Sequence, residues 1–93
     1  MNHQEFIMEL KKRGIDLSIV VFDNNIKDGF CIRKNYFRWE ICYRERGQEY
    51  NIRGYPSEGD ALEMLLEEII RYNDVVNSNL EKQKTVKKVN EMF

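Results

Sequence analysis

Proline and histidine are almost missing from this chain, with one of each in 93 residues, and cysteine occurs only twice. With His3 as the sole imidazole, placed near the start of the chain, a serine or cysteine nucleophile has no evident activating base. The same scarcity argues against a zinc centre, which gathers three or four His, Cys or carboxylate ligands. Cys31 and Cys42 lie too far apart for a CxxC redox or zinc motif, and one bridge would be a thin framework for a secreted domain. Reduced thiols are therefore expected, although the two fall in neighbouring predicted strands where a disulfide is geometrically open. No P-loop, glycine-rich dinucleotide turn or HExxH occurs. Glu40 and Glu45 have opposite strand parity, so they do not form a carboxylate pair for acid–base work. Nor is there a run approaching the eighteen or so apolar residues of a membrane span. The stretch 1–13 mixes charge with apolar residues, unlike the apolar core of a signal peptide. The expectation is a cytoplasmic protein with no catalytic apparatus, metal or cofactor, and no membrane partner.

Large side chains are plentiful: five Phe, five Tyr and one Trp supply a modest core for a single domain spanning 1–93. The net charge of −1 hides a polarised distribution. Residues 57–79 hold six acids against one base, Arg71, whereas 17–56 carry seven bases and five acids and 80–93 carry four and two. The molecule should have an acidic side.

Asn2 and Glu5 fit a capping box, after which Phe6, Ile7 and Leu10 recur at helical spacing. Lys11, Lys12 and Arg13 suit the carbonyl end of that helix, and Gly14 suits its left-handed stop. Leu17–Phe22 is β-branched and bounded by Asp23, Asn24 and Asn25, which predicts a first strand. A second strand follows Asp28-Gly29, with Phe30 and Ile32 alternating against Cys31 and Arg33. In the third, Trp39, Ile41 and Tyr43 alternate with Arg38, Glu40, Cys42 and Arg44. A turn at Arg46-Gly47 leads to a fourth, in which Tyr50 and Ile52 alternate with Asn51 and Arg53. Short connections predict an antiparallel meander. Ser57 and Asp60 resemble a capping box, so a long amphipathic helix should begin at Glu58. Its apolar stripe is Ala61, Leu62, Leu65, Leu66, Ile69, Tyr72 and Val76, with Asp60, Glu63, Glu67 and Asp74 opposite. Asn77-Ser78-Asn79 has the composition of a break, leaving 79–93 as a helical tail that docks or frays. The fold class expected is α+β: an N-terminal helix, a four-stranded antiparallel meander, a long C-terminal amphipathic helix and a helical tail.

Two charged faces are candidates for partner binding. Parity places Arg33, Glu40, Arg44 and Arg53 with Cys31 and Cys42 on an outward sheet face of mixed sign, while Trp39, Tyr43 and Tyr50 turn towards the helix. A one-residue slip or bulge would reverse that assignment. An RNA-binding sheet exposes aromatics among its bases, so nucleic acid is not the favoured partner. The acidic helix face is, on the plainest reading, merely solvated. It nevertheless concentrates like charge without alternating lysines, which costs stability, and Met64 and Val75 set apolar spots beside the carboxylates. Such a surface suits a basic partner, whose approach it would steer. The candidate contact residues are Asp60, Glu63, Met64, Glu67 and Asp74, joined by Glu40, Arg44 and Arg53 from the sheet.

Trp39-Glu40-Ile41-Cys42-Tyr43-Arg44-Glu45-Arg46-Gly47, followed by Tyr55-Pro56-Ser57-Glu58-Gly59-Asp60-Ala61, resembles a family of small bacterial immunity proteins. In that family a Trp-Glu-x-x-Tyr-x-Glu-Arg-Gly strand and hairpin run into a further strand and a Ser-Glu-x-Asp/Glu-Ala helix start. Its members are similar to inhibitors encoded beside polymorphic or contact-dependent toxins, many of them nucleases. The resemblance implies a non-enzymatic protein that binds a cognate toxin domain and occludes its active site or substrate groove. It also implies that the shared residues are scaffold, because contact surfaces diverge as toxins do. From the residues alone, two alternatives stay open: a regulatory interaction module acting as a homodimer rather than a monomer, and a small nucleic-acid-binding protein.

Overall fold

The computed structural model describes residues 1–22 and 27–91, with the side chains of the last helix described as far as residue 76. Helix α1 spans His3–Lys12. Its capping box is formed as the sequence implies: the Glu5 N–H donates to Asn2 Oδ1 at 2.8 Å, and the Asn2 N–H donates to the Glu5 carboxylate at 3.3 Å. At the other end Gly14 takes φ +71°. The Ile15 N–H donates to the Leu10 carbonyl at 2.9 Å and the Gly14 N–H to the Lys11 carbonyl at 3.0 Å. These paired bonds satisfy carbonyls left open by the helix and bring Ile15 back onto buried Leu10.

The predicted first strand is shorter than its apolar run. Asp16 accepts the Ser18 N–H at 2.9 Å, and this local bond bends Leu17–Ile19 into a 3₁₀ turn. Only Val20–Phe22 remains as strand β1. Strand β2 spans Gly29–Asn35, β3 Arg38–Glu45 and β4 Gln48–Tyr55, in the spatial order β1-β2-β3-β4. The sheet is mixed rather than wholly antiparallel, because β1 pairs parallel to β2 with Val20 opposite Phe30. Three residues advance only about 10 Å, so even a short link is long enough to bring the chain back and start β2 beside β1 in the same direction. Short connections make a meander the simplest reading of the sequence, but they do not fix the direction of β1. The predicted turn at residues 23–25 lies outside the described residues. Gly29 permits the close pairing: its φ is +138°, and a Cβ there would sit 2.5 Å from the Ile19 carbonyl oxygen.

The other two pairings are antiparallel. Arg46 and Gly47, both at positive φ, form the two-residue turn between β3 and β4. The Arg46 N–H is held by Asp28 at 3.1 Å. Between β3 and β4 the register slips: Tyr43 faces Tyr50, but Ile41 faces Arg53. One residue on β3 thus opposes two on β4, a bulge at Asn51-Ile52 with Asn51 at φ +54°. The bulge turns Arg53 to the helix face and Ile52 to the outer face, the reverse of simple alternation.

Helix α2 spans Glu58–Glu91. Ser57 caps it, with Oγ accepting the Asp60 N–H at 3.2 Å. Both helices pack on one face of the sheet. Phe6 and Leu10 of α1 and Ala61, Leu62, Leu65 and Ile69 of α2 close over Val20, Phe30, Ile32 and Ile41. The expected break at residues 77–79 is absent, and the backbone stays helical through to Glu91. Asn and Ser each disfavour a helix interior by well under 1 kcal/mol, too little to stop one already nucleated. Docking or fraying of the tail concerns side chains outside the described residues.

Candidate functional site

The charges of the outer sheet face do not form an open docking surface. Glu40 is only 3% exposed and Arg44 only 7%. Glu40 accepts from Arg38 Nη2 at 2.9 Å, from Arg33 Nε at 3.2 Å and from Asn35 Nδ2 at 3.2 Å. Arg33 continues to Glu49, which it grips with both terminal nitrogens, and Arg44 donates to Glu49 at 2.6 Å. Burial pushes the Glu40 carboxyl up, but the bonds from Arg38, Arg33 and Asn35 outweigh it and leave the group below its ordinary range. Glu49, held by hydrogen bonds from Arg33 and then Arg44, falls to about 2. A Cβ at position 54 would lie 2.8 Å from Arg38 Cδ, so glycine there gives Arg38 its path across β4 to Glu40.

The same network roofs the second apolar cluster, Val21, Cys31 and Cys42. Cys31 and Cys42 are direct cross-strand partners and are both free thiols. Their row lies between the Arg33–Glu40 row and the Arg44–Glu49 row, so the Arg33–Glu49 pair must cross above them. Burial, then the neighbouring Cys31 and Glu49, push the Cys42 thiol up to about 11. The Cys42 sulfur is therefore a poor nucleophile. Of the proposed sheet contacts, Glu40 and Arg44 are structural ion pairs. Arg53 is on the opposite face altogether, paired with Glu68 of α2. Parity places Arg33 on this face, but Glu49 is a member it does not supply; the signal for Glu49 is the cross-strand pairing of opposite charges.

The helix surface behaves differently. Asp60, Glu63, Glu67 and Asp74 are exposed along one ridge of α2, and Met64 beside them is half-buried. Glu63 lies 3.6 Å from the Met1 ammonium. Among the described residues, Asp60, Glu67 and Asp74 have no ion-pair partner. The structure thus keeps the helical half of the candidate site together and removes the sheet half.

Beside the ridge, where α2 leaves the sheet, a groove of about 410 Å³ is lined by Phe30, Tyr43, Tyr50, Tyr72, Val75 and Arg71. Phe30 forms its aromatic floor, with edge contacts to Tyr43 and Tyr72 at centroid distances of 5.1 and 5.4 Å. Burial raises the Tyr43 hydroxyl above its ordinary value. Tyr50, Tyr72 and Val75 are each about half exposed. The groove was hidden in the sequence because its walls come from β2, β3, β4 and α2, and only their arrangement makes it concave. Among the described residues, no three His, Cys, Asp or Glu side chains converge as a metal site, and no helix is long and apolar enough to cross a membrane. Comparison with models of protein families, with curated proteins and with solved structures finds no match.

Proposed function

We propose that this chain is an immunity-type protein that binds a cognate bacterial toxin domain in the cytoplasm and neutralises it without catalysis. The α2 ridge would lie over a cationic substrate groove, such as that of a nuclease. One observation carries this reading: Asp60, Glu67 and Asp74 face solvent without an ion-pair partner among the described residues, while Glu40 and Glu49 of the sheet are held by Arg33, Arg38 and Arg44. Unneutralised carboxylates on a rigid helix raise the local concentration of a cationic partner and set its orientation. Half-buried Met64 and exposed Val75 add apolar contact at the ridge margin.

The likeness to the immunity family supports the same reading, because its shared residues have jobs inside the fold. Glu40 gathers three donors, Trp39 and Tyr43 pack against the core, and Arg46-Gly47 makes the hairpin. A scaffold of this kind leaves the helix surface free to vary with the partner.

The test is co-expression with the toxin domain encoded by the adjacent reading frame. The wild-type chain should protect the cells and form a tight 1:1 complex. Failure to bind and to protect overturns the proposal. A regulatory homodimer is the second reading, favoured by α2 continuing past the sheet with Tyr72, Val75 and Val76 exposed. Light scattering over a concentration series separates the two. A nucleic-acid binder has less support, since Arg33, Arg38, Arg44 and Arg53 are all held by carboxylates.

A further inference from the structure

We infer that the turn joining β2 to β3, Tyr36-Phe37, is the apolar anchor of the partner interface: a wedge that enters a hydrophobic pocket on the toxin domain. The inference rests on the proposed function, and it adds a contact surface separate from the α2 ridge.

Tyr36 is 85% exposed and Phe37 92%, the most exposed of the large hydrophobic side chains among the described residues. The fold gains nothing from aromatics here. Asn35 pairs with Arg38, so the two residues form the whole loop of the hairpin. Loops of this length favour Gly, Asn or Asp, because a central residue must take positive φ. Tyr36 does so at +59°, a conformation that a bulky side chain adopts at a cost. Neither ring belongs to the core, and among the described residues their only ring contact is with each other, at 6.2 Å between centroids. A position that strains the backbone and exposes apolar surface is where function outweighs stability.

The occupant follows from charge and shape. A polyanion, whether lipid surface or nucleic acid, needs several free cations around the aromatics. At this tip Arg38 is committed to Glu40 at 2.9 Å, and Lys34 sits 6.0 Å from the centroid of the Trp39 ring. The rings are tilted by 43°, which leaves no parallel slot for a base. Tyr, Phe and Arg at a projecting point match the composition of protein–protein anchor residues. The strands behind them are paired without interruption from Gly29 opposite Arg44 to Asn35 opposite Arg38, so the rings are presented with little further ordering.

The ridge should therefore govern how fast the complex forms, and the wedge how long it lasts. Binding kinetics against the adjacently encoded toxin domain test this with the double variant Tyr36→Gly/Phe37→Asn. The expected result is a dissociation rate raised about 30-fold or more, with association changed less than about threefold and the thermal midpoint unchanged or higher. Phe37→Ser serves as a second variant that leaves Tyr36 in place. If wild type binds and both variants dissociate at its rate, the inference falls and the proposed function stands. If wild type does not bind, both fall together. Tip-dependent binding of wild type to anionic vesicles or to single-stranded oligonucleotides, without an effect on the toxin complex, would reassign the tip and overturn the inference.

Discussion

The outer sheet face and the α2 ridge carry similar densities of charge and put them to opposite uses. On the sheet, three guanidinium groups from Arg33, Arg38 and Arg44 interlock with the carboxylates of Glu40 and Glu49, and the network seals two thiols beneath it. On the helix, Asp60, Glu67 and Asp74 meet water alone among the described residues. Strands explain part of this contrast. Cross-strand neighbours on a sheet face come within reach of long side chains from both strands, so opposite charges find one another. A ridge at the outer edge of a helix faces only its own turns, and here Asp60, Glu63, Glu67 and Asp74 share those turns with a single base, Arg71. Charge on the page of a sequence is thus no guide to availability until the partner strands are known.

The largest effect should come from removing the sheet's central acceptor. Glu40→Gln leaves Arg33 and Arg38 facing a neutral amide in a nearly closed site, and breaking a buried pair from one side costs roughly 3 kcal/mol. Urea unfolding should show a loss of that size, while the folded fraction keeps whatever binding to the proposed toxin partner the wild type shows. A loss below about 0.5 kcal/mol would show that the two surfaces do not differ in kind.

Acid should separate the surfaces next. The folded Glu49 value of about 2 lies below its ordinary 4.5, so the ionised form is favoured by folding. That contribution is complete above about 4.5 and is lost as pH falls from there towards 2. Since the Glu49 side chain is 25% exposed, the loss should be on the order of 1–2 kcal/mol after solvent screening. Urea midpoints measured between neutral pH and pH 2 should reveal the step, and Glu49→Gln should lack it. A wild-type curve flat through this range would show that the network adds little.

Local rules carried far in the sequence. The capping box at Asn2, the Gly14 stop and the Ser57 start each depend on a few neighbouring residues, and the structure forms all three. The inward packing of Trp39 and Tyr43 also holds, because strand alternation is a local rule as far as the bulge, whereas Tyr50, opposite Tyr43, stays half exposed outside the core. Beyond it, one inserted residue at Asn51-Ile52 reversed Arg53 and sent it to Glu68. The parallel pairing of β1 was equally out of reach, since a short apolar run specifies a strand without specifying its direction. For the candidate site, helical periodicity located Asp60, Glu67 and Asp74 on the surface, but burial of Glu40 and Arg44 depended on Glu49 arriving from β4. Asn35 marks a reversal in the sequence, but that Tyr36-Phe37 forms the whole two-residue turn and stands clear of the core depends on the pairing of Asn35 with Arg38.

The smallest change in stability should accompany a large change in encounter rate. Glu67→Lys places a cation four residues after Glu63 and four before Arg71, creating one favourable and one unfavourable i,i+4 relation on an exposed face. The two nearly cancel, so the unfolding free energy should move by no more than about 0.5 kcal/mol. Association with a cationic toxin groove should nevertheless slow several-fold at low salt, by roughly the amount expected for reversing a rim charge, and become less sensitive to added salt. Stopped-flow mixing across a salt series measures both. A stability loss above about 1 kcal/mol would mean that Glu67 is held by the fold as Glu40 is. An unchanged association rate would remove the ridge from the interface and leave the burden of recognition on the hairpin and groove.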